Sequence, residues 1–267
     1  MDLSWLPSRL TTSLRDLLLS VLAAGPIPKH VAFVMDGNRR YARSKQKEVK
    51  EGHWEGFYAL KRMLEICLKL GIKCVTTYAF SIENFKRPKE EVDALMQLAE
   101  EKLMELCEKG SLLAEYGVRL NVLGRKELFP ESLQKVIQQA EEMTRHNNRA
   151  ILNLCMPYTS RDEITTAVET TVRQADITEK TVEDNLMTSL AGSPPLDILI
   201  RTSGVRRLSD FLLWQCCEDT QLHFIPTYWP DFGMLDFVPI LLDYQRKVWM
   251  KESVEAGEGK MTTLVRS

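Results

Sequence analysis

Short apolar runs alternate along the chain with longer segments in which apolar residues recur at helical spacing. Six of the runs are predicted to be strands, at residues 30–35, 74–80, 118–124, 150–155, 197–202 and 222–226. Helices are predicted between them, over residues 57–70, 90–116, 130–146, 161–172 and 178–190. This alternation predicts an α/β fold with one open, mainly parallel sheet, helices on both faces and the last strand at an edge.

The chain is long enough for a single large domain with flanking segments. Its 267 residues, of which 44% are hydrophobic, can form one substantial core, assigned here to residues 26–250. Residues 1–25 are predicted to contain an amphipathic helix, because leucines and a valine recur at helical spacing between residues 10 and 22. Residues 251–267 are polar and contain glycine, so a mobile tail is expected.

The N-terminal segment contains Arg9, Arg15 and Asp16, too many charges for a membrane span or the apolar part of a signal peptide. Two interpretations of the helix remain open. It could pack on the domain or on a partner protein, or it could lie on a membrane surface.

Charge and composition exclude several classes of function. The net charge of −2 gives no bulk attraction to nucleic acid, so any anion site must be local. The six cysteines form no C-x-x-C pair and read as reduced residues of an intracellular protein, and the four histidines lack zinc-ligand spacing. Neither G-x-G-x-x-G nor a P-loop pattern is present, which argues against dinucleotide enzymes and P-loop kinases.

Polar residues follow three of the predicted strands. They are Asp36-Gly37-Asn38-Arg39-Arg40 after the first, Ser81, Glu83, Asn84 and Arg87 after the second, and Arg201 to Gly204 with Arg206, Arg207 and Ser209 at the fifth. Because the carboxyl ends of parallel strands share one edge, we expect these groups to meet there. Arginines and helix N-termini favour phosphate or diphosphate, and an acid at Asp36 suits a bridging magnesium ion. Taken singly, Asp36 could cap a helix and the arginines could form surface ion pairs.

These motifs resemble the cis-prenyltransferase family. The resemblance lies in residues 35–42, Gly52-His53-x-x-Gly56, residues 78–87, residues 197–204 and 207–215, and Trp229-Pro230-Asp231-Phe232. It covers about residues 26–250 in the family's order. Arg39 in the first motif resembles the eukaryotic dehydrodolichyl diphosphate synthase branch. Two positions depart from the pattern: Val205, where an acid is common, and Val49, where a basic residue is frequent.

The resemblance implies an enzyme that adds isopentenyl diphosphate units to an allylic diphosphate of the farnesyl diphosphate class, with Mg²⁺ as cofactor. Each new double bond would be cis, and the product would be a long-chain polyprenyl diphosphate for dolichol synthesis. A helix that is a few residues longer than in short-chain relatives, around Glu108-Lys109-Gly110, could bend and lengthen the product tunnel.

The resemblance also implies a role for each candidate residue. Asp36 would hold Mg²⁺, and Gly37, Asn38, Arg39 and Arg40 would bind the allylic diphosphate. Arg87 would lie near the phosphates, and the catalytic set would be Asp36, His53, Ser81 and Asn84. Arg201, Arg207 and Ser209 would bind the diphosphate of isopentenyl diphosphate. Helices around Met63 to Leu70 and Leu95 to Leu113 would wall the tunnel.

A partner subunit is expected as well. Homodimeric members of the family carry a C-terminal Arg-x-Gly that reaches the neighbour's diphosphate site, whereas this chain ends Thr263-Leu264-Val265-Arg266-Ser267. The resemblance therefore implies a hetero-oligomer with a related non-catalytic subunit that supplies Arg-x-Gly. That subunit would place the enzyme peripherally on the cytoplasmic face of the endoplasmic reticulum, with the cytoplasm as the alternative.

Two other functions stay open. A non-catalytic family member would stabilise a catalytic partner, but such subunits usually lose the Asp-Gly-Asn-x-Arg loop that residues 36–40 retain. A different diphosphate enzyme, such as a phosphatase or a kinase, would need a nucleophile or a nucleotide motif, and none is recognisable.

Overall fold

The fold is built on one parallel sheet. The computed structural model describes residues 8–108, 111–174 and 177–264, and within these residues the sheet has six strands. They are β1 (His30–Val34), β2 (Cys74–Tyr78), β3 (Val118–Leu123), β4 (Ala150–Cys155), β5 (Ile198–Arg201) and β6 (Gln221–Phe224). Their order in space is β3-β4-β2-β1-β5-β6, and each neighbouring pair is parallel. The predicted parallel α/β sheet, with the last strand at an edge, is confirmed.

Helices connect the strands. They are α1 (Ser8–Leu22), α2 (Asn38–Ser44), α3 (Val49–Lys69), α4 (Lys89–Cys107), α5 (Leu112–Tyr116), α6 (Glu131–Thr144), α7 (Ser160–Gln174), α8 (Glu179–Asp184), α9 (Met187–Leu190) and α10 (Met234–Leu264). Short 3₁₀ helices lie at Ile82–Lys86, Lys126–Leu128 and Trp229–Asp231. Apolar side chains on both faces of the sheet form the core, and β1 is buried along its whole length.

Two segments that were each predicted to be a single helix are two helices in the structure. The segment 90–116 divides into α4 and α5, because Ser111 has extended backbone and its hydroxyl accepts a hydrogen bond from the Ala114 N–H, so a new helix begins there. The segment 178–190 divides into α8 and α9, because Leu186 is also extended. The predicted helix bend falls largely on residues 109–110, which lie outside the described residues.

Helix α1 packs against the domain, as one of the two interpretations predicted. Arg15 forms an ion pair with Glu65 of α3 (2.9 Å), and Asp16 forms one with Lys69 (3.0 Å). Leu22 is buried, and its carbonyl accepts a hydrogen bond from Gln245 Nε2 of α10 (2.7 Å). These contacts fix the orientation of α1 on α3 and α10.

Helix α10 extends into the segment that was expected to be a mobile tail. It continues to Leu264, so residues 251–264 are helical, and the mobility of this segment stays a prediction. Within the part of the chain that the structure describes, no helix is both long and apolar enough to cross a membrane.

Candidate active site

Asp36 lies where the ends of two adjacent strands meet. Val34 and Arg201 are paired in the register of β1 and β5, so the residue two positions after β1 faces the last residue of β5. Asp36 Oδ2 accepts a hydrogen bond from Arg201 at 2.8 Å, and Oδ1 lies 3.2 Å from a guanidinium nitrogen of Arg40. The structure therefore brings together the acid and two of the arginines that the strand-end argument selected.

The charge of Asp36 is stabilised by these neighbours. Burial would raise the pKa of the carboxyl group, but hydrogen bonds from Arg201 and Ser203, together with the charges of Arg201 and Arg40, lower it below its usual value. The Arg201 side chain is only 4% exposed, whereas that of Asp36 is 28% exposed. The carboxylate is thus ionised, partly open to solvent and next to a buried cation.

The turn that carries Gly37 is closely packed. Gly37 has φ +111°, and a Cβ at this position would come within 2.8 Å of the Tyr228 ring. Arg40 places its guanidinium 5.6 Å from the centre of the same ring and donates hydrogen bonds to the carbonyl and the hydroxyl oxygen of Ser203. Tyr228 and Ser203 thus hold Arg40 beside Asp36.

The loop after β5 supplies the remaining predicted cations. Arg201 Nη1 donates to the Ser209 hydroxyl oxygen and to the Arg207 carbonyl, both at 2.6 Å, and Arg207 Nε donates to Ser209 Oγ at 3.0 Å. Ser203 and Ser209 have positive φ (75° and 53°), a conformation that L-residues seldom adopt. The backbone of this loop is therefore strained at Ser203 and Ser209. In this conformation the side chains of Arg201 and Arg207 both lie within hydrogen-bond distance of the Ser209 hydroxyl.

A second polar cluster lies between α3 and α4. Glu91 is 2.9 Å from Arg87 and 3.6 Å from Arg39, so one carboxylate joins two of the predicted phosphate-binding arginines. Burial is the main cause that lowers the pKa of His53 to about 4, and the charges of Arg87 and Arg39 lower it further. His53 is therefore neutral near pH 7.

Ser81 and Asn84 shape the turn after β2. The Ser81 hydroxyl accepts a hydrogen bond from the Glu83 N–H, and Asn84 Oδ1 accepts one from the Ser81 N–H at 3.1 Å. Together they form a capping box for the 3₁₀ helix, and no hydrogen bond among the described contacts joins them to Asp36. Their catalytic roles stay a prediction.

An apolar cavity of about 760 Å³, its open mouth included, lies beneath these polar groups. The described residues that line it are mostly on α3 and α4: His53, Gly56, Phe57, Leu60, Leu95, Met96, Leu98, Ala99, Lys102, Leu103 and Leu106, with others from the strand ends. Two buried polar atoms on this lining, Asn38 Oδ1 and His53 Nε2, have no hydrogen-bond partner among the described residues. Buried polar atoms usually have a partner, so these two atoms are candidates for contact with a polar group of a ligand.

The cavity wall differs from the expected one on α3. The predicted wall, Met63 to Leu70, is not part of the lining, and Met63 and Leu64 are core residues. The reason is the direction of the helix: α3 begins near the carboxyl ends of the strands and runs back toward β2, so its first half faces the cavity. On α4, the prediction that began at Leu95 agrees with the lining as far as Leu106.

Sequence reasoning assigned no role to three residues of the site. Ser203 and Tyr228 hold Arg40, and Glu91 joins two arginines. Ser203 lies inside a motif that was singled out, so its position was a usable signal. Tyr228 and Glu91 come from a turn after β6 and from the first turn of α4, which no strand-end rule selects.

A cation site in this region must use few protein ligands. Among the described residues no group of three or more His, Cys, Asp or Glu side chains could hold a metal ion. Asp36 is a single carboxylate, and magnesium commonly binds through one or two carboxylates together with substrate phosphates and water. The residues present therefore fit a magnesium ion that arrives with a diphosphate.

Comparison with known proteins gives the family. The family model described as "Putative undecaprenyl diphosphate synthase" matches residues 34–250. A dehydrodolichyl diphosphate synthase complex subunit of Schizosaccharomyces pombe is 48% identical over 241 residues, which is 87% of this chain and 90% of that protein. A subunit of the same description from Homo sapiens is 45% identical over 91% of this chain and 74% of its own length.

The fold is also similar to that of a solved prenyl diphosphate synthase. Lavandulyl diphosphate synthase from Lavandula x intermedia, in complex with dimethylallyl diphosphate, superposes with a TM-score of 0.74 and 36% identity, over 82% of this chain and 95% of that one. The parallel sheet, the arginine-rich strand ends and these similarities lead to one assignment. The chain belongs to the cis-prenyltransferase family.

Proposed function

We propose that the chain is the catalytic subunit of a dehydrodolichyl diphosphate synthase complex, which condenses isopentenyl diphosphate onto an allylic diphosphate of the farnesyl diphosphate class. One observation carries the proposal: Asp36, Arg40 and Arg201 form a cationic site, and Met35 and Asn38, on either side of Asp36 in the sequence, line an apolar cavity. A diphosphate with a long hydrocarbon chain needs both surfaces, since its two ends prefer opposite environments. Relatives named as subunits of this complex support the same function.

The chemistry can be assigned to the residues of the site. The C1–O bond of the allylic diphosphate breaks, and its electron pair leaves with the diphosphate, whose charge Arg40 and Arg39 would stabilise. The double bond of isopentenyl diphosphate, held by Arg201, Arg207 and Ser209, forms the new C–C bond to C1. A proton then passes from C2 of the isopentenyl unit to an oxygen of the released diphosphate, so that a new cis double bond remains and charge balances.

Asp36 is proposed as the protein ligand of Mg²⁺. The family depends on divalent metals in general, and this carboxylate is ionised and partly open to solvent. When bound, the ion would supply positive charge to the diphosphate oxygens. Neutral His53, next to Arg87 and Arg39, would orient the phosphates without adding a charge of its own.

The proposal includes a partner and a location. Several of the relatives, the 48% and 45% identical proteins among them, are named as complex subunits, and these names support a partner subunit that assembles with this chain. We take it to be a related, non-catalytic subunit that supplies an Arg-x-Gly segment to the diphosphate site. The complex would lie peripherally on the cytoplasmic face of the endoplasmic reticulum membrane, and α1 carries an exposed apolar face that suits this location.

The experiment is a prenyl-transfer assay. The purified chain, alone and with the proposed partner, is incubated with farnesyl diphosphate, labelled isopentenyl diphosphate and Mg²⁺, and the chain lengths of the lipid products are measured. We expect long polyprenyl diphosphates with cis double bonds, and a strong increase in rate with the partner.

Two results would change the proposal. Full activity of the chain alone, unchanged when the partner is added, would remove the partner from it. Activity that survives Asp36→Asn in this chain but is lost when the partner's site is altered would make this chain the non-catalytic subunit.

A further inference from the structure

A lysine of α4 is held by three aromatic rings of α3. Lys102 Nζ lies 4.4 Å from the centre of the Trp54 ring, 5.3 Å from that of Phe57 and 5.7 Å from that of Tyr58. A cation within about 6 Å of an aromatic face is attracted to it. We call these four residues the Lys102 clasp, and it joins α4 to α3 beside the cavity.

The positive charge of Lys102 is balanced by the carboxylate of Glu105, which is not part of the aromatic cluster. Lys102 donates a hydrogen bond to Glu105 Oε2 at 2.6 Å, and Glu105 Oε1 accepts one from Lys61 at 2.9 Å. The Lys102 side chain is only 13% exposed, whereas that of Glu105 is 34% exposed. The ammonium is therefore held by Trp54 and Glu105, and the apolar stem is available to cover other surface.

The clasp lies at the boundary between two cavities. Phe57 and Lys102 line the apolar cavity beneath the active site, and Trp54 lines a groove of about 740 Å³, open to solvent, between the first turns of α3 and α4. Three residues line both spaces: His53, Leu95 and Leu98. The contact between Lys102 and Trp54 thus connects the lining of the inner cavity with that of the outer groove.

We propose that Lys102 determines product length by closing the side of the cavity between α3 and α4. This inference rests on the proposed function, because it concerns the chain that grows in the cavity. Each condensation adds five carbons, which are favourable only where they stay out of water. The lysine stem, clamped by aromatic rings, covers the gap toward the outer groove, so the growing chain remains inside until it has filled the enclosed space.

The test compares product lengths from three variants, assayed in the form, alone or with the partner, in which the unaltered enzyme turns over. Lys102→Ala removes the stem and its ring contacts, so the products should become longer and more varied by whole isoprene units. Lys102→Met keeps an unbranched stem that packs on aromatic rings without the charge, so its products should match those of the unaltered enzyme. Lys61→Ala is the matched control, because Lys61 contacts the same Glu105 and lies 5.8 Å from the Phe57 ring but does not line the cavity.

The possible results distinguish a failure of the Lys102 inference from a failure of the proposed prenyltransferase function. Longer products with Lys102→Ala alone support the clasp, whereas shorter products would contradict it. Unchanged lengths with Lys102→Ala, an equal shift with Lys61→Ala, or an equal shift with Lys102→Met would each overturn it, since the stem would not then be the barrier. If the unaltered enzyme makes no elongated product, the proposed function itself fails, and this inference fails with it.

Discussion

At the scale of single residues, Asp36 is a carboxylate that faces two guanidinium groups. Its oxygens contact Arg40 and Arg201, so these three side chains together carry a net charge of +1. A diphosphate that enters the site brings more negative charge than this, and a cation at Asp36 would offset the difference. The carboxylate therefore orders the arginines, and in the proposed function it would also be the protein ligand of the metal.

The first prediction concerns this carboxylate. Asp36→Asn should lower kcat by at least about 100-fold, because the cation ligand is lost while the shape is kept. Asparagine is a better test than alanine, since its oxygen can still accept a hydrogen bond from the buried Arg201. The free energy of unfolding should thus fall by no more than about 2 kcal/mol. Steady-state kinetics and urea unfolding measure the two effects.

A matched control exists on α10. Asp243 also contacts two basic residues, Arg246 and Lys247, each at 2.7 Å, and it lies outside the site. Asp243→Asn should leave kcat unchanged. Near-normal turnover of a folded Asp36→Asn enzyme, with its magnesium requirement intact, would show that Asp36 is not the metal ligand.

The second prediction concerns a buried histidine in the sheet. His30 Nδ1 lies 2.8 Å from the Pro194 carbonyl, which can only accept, so Nδ1 carries the proton and Nε2 accepts from the Thr76 hydroxyl at 2.7 Å. Burial lowers the pKa of His30 to about 4. At pH 5 the unfolded chain binds a proton at this histidine and the folded chain does not, so stability falls as the pH drops from 6.5 toward 4.

The expected loss from this histidine is about 2 kcal/mol between pH 7 and pH 5, measured by urea unfolding at the two values. His30→Gln should reduce this difference even if it lowers stability at both pH values. His146→Gln, at an exposed position, should leave the difference as it is. His53, whose pKa is also lowered to about 4, contributes a separate part of the difference, which should persist in His30→Gln. A wholly unchanged difference in the His30→Gln variant would mean that His30 does not contribute to it.

Contacts between site residues were predictable only for residues at the carboxyl ends of neighbouring parallel strands, because those ends lie at the same edge of the sheet. Asp36 and Arg201 follow adjacent parallel strands, so their meeting could be expected from the sequence. The contact of Arg40 with Ser203 and Tyr228 could not, because it depends on the positive φ of Ser203 and on the path of the chain after β6. Loop conformation of this kind is set by tertiary contacts that no local pattern records.

At the scale of elements, two glycines of α3 allow α2 to approach. A Cβ at Gly52 would lie 2.4 Å from the Asn38 carbonyl oxygen, and one at Gly56 would lie 2.6 Å from Asn38 Oδ1. Real Cβ contacts are longer than this, so any side chain here would push the start of α2 away from α3. The Gly-His-x-x-Gly motif is thus explained by the close packing of two helices as well as by His53.

The third prediction follows from this packing. Gly52→Ala should lower the free energy of unfolding by about 1–3 kcal/mol, because the two helices must separate. The displaced α2 carries Asn38 and Arg40, so the KM for the allylic substrate should rise about tenfold, equivalent to about 1.4 kcal/mol of lost binding. Gly233→Ala is the control, since a Cβ there meets no atom within 4 Å and should change stability by less than about 0.5 kcal/mol. Equal effects at both glycines would contradict the packing argument.

Element existence was easier to predict than element boundaries. The six strands have apolar runs between polar turns, and each was located to within two residues. The breaks before α5 and α9 were missed, because helical spacing continues through both regions. The non-helical backbone of Glu108 and Ser111 in the first region and of Leu186 in the second divides the helices. The direction of α3 relative to the sheet likewise decides which of its residues line the cavity.

At the scale of the whole molecule, α1 presents an apolar face away from the domain. Leu17 and Val21 are 62% and 63% exposed, one helical turn apart, while Leu19 and Leu22 are buried. The buried Leu19 and Leu22, together with the ion pairs from α1 to α3, hold this orientation. With a net charge of only −2, attraction to anionic lipid is weak, and membrane contact would depend on these apolar side chains.

The fourth prediction tests this face on the chain alone. The double variant Leu17→Ser/Val21→Ser should lower the partition onto neutral phosphatidylcholine vesicles about tenfold or more, because burying each aliphatic side chain contributes roughly 1.5–3 kcal/mol. Val168→Ser/Val172→Ser is the matched control, since these valines of α7 are 39% and 54% exposed and have the same spacing. Co-sedimentation measures the bound fraction. If both double variants lose binding equally, general surface hydrophobicity and not the α1 face explains the association; if neither does, α1 stays in water and the partner alone must bring the enzyme to the membrane.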